Sequence, residues 1–151
     1  MVKSAPKTET RVSEHTAEQV NERIQREIEA RVHYYAQRLD RIEQRLNELD
    51  YEWDIERTLE LNAASVSLLG LILGATSNRK WFLLPAVVGV FLAQHAIQGW
   101  CPPITWFRRM GIRTTREINE ERFALKAIRG DFDEINGNGQ NSAESAIEAV
   151  K

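Results

Sequence analysis

A single cysteine, Cys101, excludes an internal disulfide, so no part of the chain is stapled covalently. Proline and glycine are both missing between Ser13 and Leu69, which leaves that stretch free to form one uninterrupted helix. A dominant charge is missing as well: twenty Lys and Arg oppose twenty-two Asp and Glu, for a formal net charge of -2. No basic stripe stands clear of acidic neighbours, which argues against a nucleic-acid partner. Met1 to Arg57 lacks the apolar core of a signal peptide, so insertion into a membrane must be directed from further along. Metal-ligand spacing is absent too, since His15 and His33 are too far apart for one helix face. Neither a metal nor another cofactor is expected.

What is present is a sorting of charge. The mean hydropathy of -0.44 describes a soluble protein, yet only Glu60, Arg79 and Lys80 carry charge between Leu59 and Trp100. Two apolar stretches, 59–76 and 81–100, flank the basic turn Ser77 to Lys80. In the second, Trp81 and Trp100 stand about 28 Å apart at 1.5 Å per helical residue. That is close to a hydrocarbon core of roughly 30 Å, whose boundaries indole rings favour. The first stretch is weaker, because Glu60 and Asn62 must sit near the surface. Together they form a membrane hairpin.

A helix is expected to begin near Ser13 or Thr16, where Thr16 and Gln19 have capping-box spacing, and to run on towards the membrane. Within it Ile28, Val32, Tyr35, Leu39, Ile42, Leu46, Leu49 and Trp53 alternate steps of four and three, a heptad seam. With Val32, Leu39, Leu46 and Trp53 at position a, Arg38 and Arg45 fall at g and Glu43 and Asp50 at e. These signs favour a parallel homodimer. Val20, Ile24 and Ile28, spaced by four, read as a stutter. The alternative is one amphipathic helix lying on the membrane or on another protein.

Cys101, Pro102 and Pro103 end the second membrane helix. Beyond them Trp106, Phe107, Arg108 and Arg109 have the mixed character of an interfacial segment. Trp81, Trp100, Trp106, Arg108 and Arg109 are therefore expected as interface anchors. Thr114 and Glu117 signal a last helix, from about Thr115 to Arg129, and Gly130 stops it. The expected order is a loose terminus over 1–12, a cytoplasmic helix over 13–58, the hairpin over 59–100, an amphipathic segment over 101–132 and a flexible tail over 133–151. The fold class is all-α.

On the first membrane helix Ala63, Ser67, Gly70 and Gly74 lie within about 60° of one another, a small-residue groove that includes a GxxxG pair. Pro85, Gly89, Ala93 and Ala96 make a similar face on the second. The two faces are expected to meet in the hairpin; pairing with a second copy through Gly70 and Gly74 is the alternative. Gln94, His95 and Gln98 occupy the last turns before Trp100, where interfacial water can solvate them or a hydrogen bond across a dimer can satisfy them. A polar pore needs further polar positions deeper in the bilayer, and none lies between Trp81 and Ala93. Cys101 is the possible thiol site, but it has no second cysteine and no nearby base.

Two crossings return the chain to its starting side. Arg45, Arg57, Arg108, Arg109, Arg113 and Arg116 flank the hairpin, against Arg79 and Lys80 in its turn. The excess of basic residues places both termini in the cytoplasm.

From Gly99 to Phe132 the chain reads GWCPPITWFRRMGIRTTREINEERFALKAIRGDF. Placed after a short hairpin with glycine-rich helices, this resembles the YgaP-like inner-membrane transmembrane domain of bacteria. The match rests on Gly99, Cys101 and Pro102 at the end of the second helix and on Gly111 shortly after. The resemblance spans roughly Leu59 to Gly111 and implies a two-helix inner-membrane module able to dimerise. In the protein that gives the family its name, the hairpin is joined to a rhodanese sulfurtransferase domain. Here some fifty-eight residues of heptad-like sequence precede the hairpin, too few for that fold and without its cysteine loop. Sulfurtransferase activity is not carried over.

The expectation is a non-enzymatic inner-membrane anchor or scaffold acting through helix pairing. Its partners are the lipid bilayer, a second copy and an unidentified membrane or cytoplasmic protein. A thiol or sulfur relay at Cys101 and a small channel are the competing readings.

Overall fold

Among the described residues every regular element is helical. The computed structural model describes residues 9–133 and 145–147. Helix α1 is Arg11–Glu14, α2 is Glu18–Ala36, and a 3-10 turn at Leu39–Arg41 leads into α3, Ile42–Tyr51. The hairpin is α4, Ile55–Thr76, and α5, Leu83–Gln98, the latter preceded by a 3-10 turn at Arg79–Phe82. Two further helices follow, α6 at Pro102–Arg109 and α7 at Thr115–Arg129. The expected tail lies outside the described residues except for 133 and 145–147, as does the expected loose terminus over 1–8.

The uninterrupted helix expected from Ser13 into the membrane is instead four helices. Arg38 leaves the helical region at φ -142°, ψ 64°, and Glu52 is extended at φ -65°, ψ 130°. Neither break is marked by proline or glycine; at the second, a cap and a long-range bond take up the freed backbone groups. Asp54 caps α4 by accepting from the Arg57 amide at 2.9 Å, and the Ile55 amide donates to the Arg113 carbonyl at 2.8 Å.

The chain divides into two units, residues 9–22 with 53–115 and residues 23–52 with 116–133. In the first, Val12, Ile55, Leu59, Cys101 and Ile104 form the core. Val12 belongs to the segment expected to be loose, yet it is buried here. In the second, Ile42, Leu46 and Leu49 of α3 pack on Ile118 and Leu125 of α7, with Tyr35 at the edge. Tyr35, Ile42, Leu46 and Leu49, half of the heptad seam, thus have partners within their own chain. Of the rest, Ile28 is buried, Val32 is half-buried, and Leu39 and Trp53 are exposed.

Glu121 of α7 is 0 % exposed and sits between two arginines of the second unit. Its carboxylate accepts from Arg31 Nε at 3.0 Å and from Arg45 Nε at 2.8 Å. Arg45, assigned by spacing to a partner's Asp50, is used inside the chain. The pairing holds its guanidinium pKa up, although desolvation, the largest influence, works in the opposite direction.

Candidate functional site, a membrane hairpin with a polar clasp

Helix α4 is about 33 Å long at 1.5 Å per residue, enough for a hydrocarbon core of roughly 30 Å. The segment Arg79–Gln98, which holds α5, meets the same criterion of length and apolarity. Only 17 % of the apolar window in the first span and 6 % in the second is buried within the chain. A soluble core helix would be mostly covered. Leu61, Leu68, Leu69, Leu71 and Ile72 point outward from α4, as do Val87, Val90 and Ile97 from α5.

The small face of α4 turns inward. A Cβ on Gly70 would lie 2.7 Å from Pro85 Cδ, and one on Gly74 would lie 2.8 Å from the Phe82 ring. Ala63 is buried on the same side and Ser67 is half-buried. Of the expected α5 face Pro85 does meet this groove, but the rest needs correction, because Gly89 meets nothing within 4 Å and Ala93 and Ala96 are exposed. Two grooves facing one another would leave a void. Phe82, Leu84 and Pro85 fill the α4 groove instead, large side chains into small.

A polar clasp closes the end of the hairpin opposite the Ser77 to Lys80 turn. His95 is 4 % exposed, rather than solvated at the interface as expected, and its Nε2 lies 2.7 Å from Glu56 Oε2. The other Glu56 oxygen accepts from Arg11 Nη2 at 3.1 Å, while Arg11 Nη1 donates to the Ala96 carbonyl at 3.1 Å. His95 Nδ1 and Arg11 Nε are buried without a hydrogen-bond partner. Gly99 turns the chain at φ 72°, and a Cβ there would fall 2.5 Å from Arg11 Cβ. Glycine is required at this point for both the conformation and the close approach. Helix α1 is thereby strapped to the beginning of α4 and the end of α5. The sequence reading missed Arg11 and Glu56, which belong to different helices; an acid near the start of one span opposite a histidine near the end of the other was the available signal.

Arg108, expected to face lipid, is 1 % exposed and points inward. It donates to Thr16 Oγ1 at 3.2 Å, Asn21 Oδ1 at 3.0 Å and the Ile112 carbonyl at 3.1 Å. Burial of a guanidinium is tolerable only with such a set of acceptors. Trp100 is half-buried and packs on the core of its unit. The exposed indoles are Trp81 at the hairpin turn, Trp53 just before α4 and Trp106, 73 % exposed, on α6. Arg109 is exposed beside the last of these, and Arg57 stacks on Trp53 with its guanidinium carbon 4.3 Å from the ring centroid.

Cys101 lies just past α5 and is 1 % exposed. Burial pushes its thiol pKa up, with the charge of Glu56 adding to the rise and a bond from Ile104 opposing it. An activated thiol needs the opposite environment. Among the described residues no three His, Cys, Asp or Glu side chains converge as a metal site.

A tightly packed pair of helices, each long and apolar enough to cross a membrane, with a polar clasp at one end, defines a helical-hairpin domain. Residues 54–117 match the family described as inner membrane protein YgaP-like, transmembrane domain. The matched segment ends where the structure joins it: Asp54 accepts a hydrogen bond from Thr115. No curated protein matches the chain, and no solved structure does. Helix α1, which straps the hairpin, lies outside the matched residues.

Proposed function

We propose that the protein is a non-enzymatic anchor in the bacterial inner membrane, crossing twice with both termini in the cytoplasm and carrying its α3 and α7 helices there. The observation that carries this reading is the apolar, outward-facing surface of α4 and α5, bounded at one end by the Arg11, Glu56 and His95 clasp. The excess of flanking arginines over Arg79 and Lys80 supports the orientation. The buried, poorly acidic thiol of Cys101 supports a structural rather than a chemical role for it.

Association through helices is part of this reading. The α5 face containing Gly89 and Ala93 is open to a second copy or another membrane helix, whereas Ile42, Leu46 and Leu49 already pack within the chain. A fluorescent protein joined to the C-terminus tests the orientation, because it should fold and fluoresce in cells. An exported phosphatase joined at the same point should be inactive. The reverse pattern would reject the orientation, and release of the fusion by alkaline carbonate would reject the anchor.

A further inference from the structure

We infer that the hairpin holds one acyl chain of a membrane phospholipid in a defined slot between α4, α5 and α6. This rests on the reading of α4 and α5 as membrane-crossing. A groove of about 280 Å³ opens there, and almost all of its surface is carbon. Helix α4 contributes Ala63 and Val66, α5 contributes Leu84, Val88 and Phe91, and α6 contributes Phe107.

The dimensions select the occupant. Along α5 the slot extends from Leu84 to Leu92, about 12 Å of helix axis, so its volume of about 280 Å³ is long and narrow. A helix with its side chains is about 10–12 Å across, so a second copy could send only separate side chains into it. A polymethylene chain, about 4–5 Å across at carbon contact distances, matches the slot.

Position supports the same occupant. The groove lies along the apolar lengths of both spans, so the medium around it is lipid, and α6 lines it towards the end where a chain would pass into its glycerol. Transfer from the bilayer gains no hydrophobic free energy, because lipid tails are as apolar as the slot. What the slot adds is contact on several sides at once, whereas the α5 face bearing Val90 and Ile97 offers contact on one side only.

The test uses the full chain in vesicles of phosphatidylethanolamine and phosphatidylglycerol containing a phospholipid with a diazirine in mid-chain. After illumination, mass spectrometry should find adducts several-fold enriched at Val66, Val88 and Phe91 over Val90 and Ile97. Ala63→Phe and, separately, Val88→Phe should reduce that enrichment to parity while the outer-face adducts persist. Equal labelling of all five positions in the unaltered chain would reduce the slot to ordinary surrounding lipid and overturn the inference, leaving the membrane reading intact. Depletion at the slot together with a dimeric mass would show a second copy there and also overturn it. Absence of adducts throughout the hairpin would overturn the membrane reading itself.

Discussion

At the scale of single residues, buried polar groups account for much of what spacing alone could not show. Glu121 appears in the sequence as one acid among many on a helix with mixed charges, and nothing local marks it as the centre of two ion pairs. Removing one partner of a buried pair leaves the others desolvated, so Glu121→Gln should cost about 3 kcal/mol in the stability of the helices around it. Chemical denaturation followed by far-ultraviolet circular dichroism would measure this, and an unchanged midpoint would reject the role. Cys101 gives a second expectation. Its raised pKa means less thiolate at a given pH, so maleimide should react more slowly at pH 7.5 in mild detergent than after unfolding in dodecyl sulfate. The folded rate should rise as pH increases. Equal rates in both detergents would mean that the thiol is accessible.

At the scale of elements, the sequence was most legible where pattern and local chemistry agree. Thr114, Glu117 and Gly130 delimit α7 as they should, and the loss of charge locates the hairpin, although α4 begins at Ile55, ahead of the apolar stretch. The heptad seam is instructive for a different reason: periodicity identifies which face of a helix is buried, not what buries it. Ile42, Leu46 and Leu49 are covered by Ile118 and Leu125 of the same chain, and Arg45 pairs with Glu121 rather than with a partner's Asp50. Helix breaks at Arg38 and Glu52 were illegible, because no proline or glycine marks them and bonds such as the one from Ile55 to Arg113 are long-range. The glycines of the hairpin make contrasting predictions. Gly70→Val drives a branched side chain into the Pro85 ring and should destabilise the hairpin by about 1–3 kcal/mol. Gly89→Ala meets open space and should be neutral or stabilise by up to about 1 kcal/mol. Unfolding by dodecyl sulfate in mixed micelles separates the two. Equal effects would contradict the packing of α4 against the beginning of α5.

At the scale of the whole molecule, hydropathy and charge sorting identified a membrane protein despite an average composition that suggests a soluble one. They could not reveal the clasp, whose parts, Arg11, Glu56 and His95, come from three separate helices and meet only when the hairpin is closed. They also suggested Arg108 as a lipid anchor, because a basic residue beside tryptophan reads the same whether it faces head groups or a set of internal acceptors. If α4 and α5 cross the membrane as proposed, their connecting turn is exposed on the outer side. A cysteine introduced as Asn78→Cys in a Cys101→Ser background tests it most directly, with a membrane-impermeant maleimide applied to cells whose inner membrane is intact. Labelling at this turn is expected without permeabilising the inner membrane; labelling only after that membrane is opened would contradict the proposed crossing.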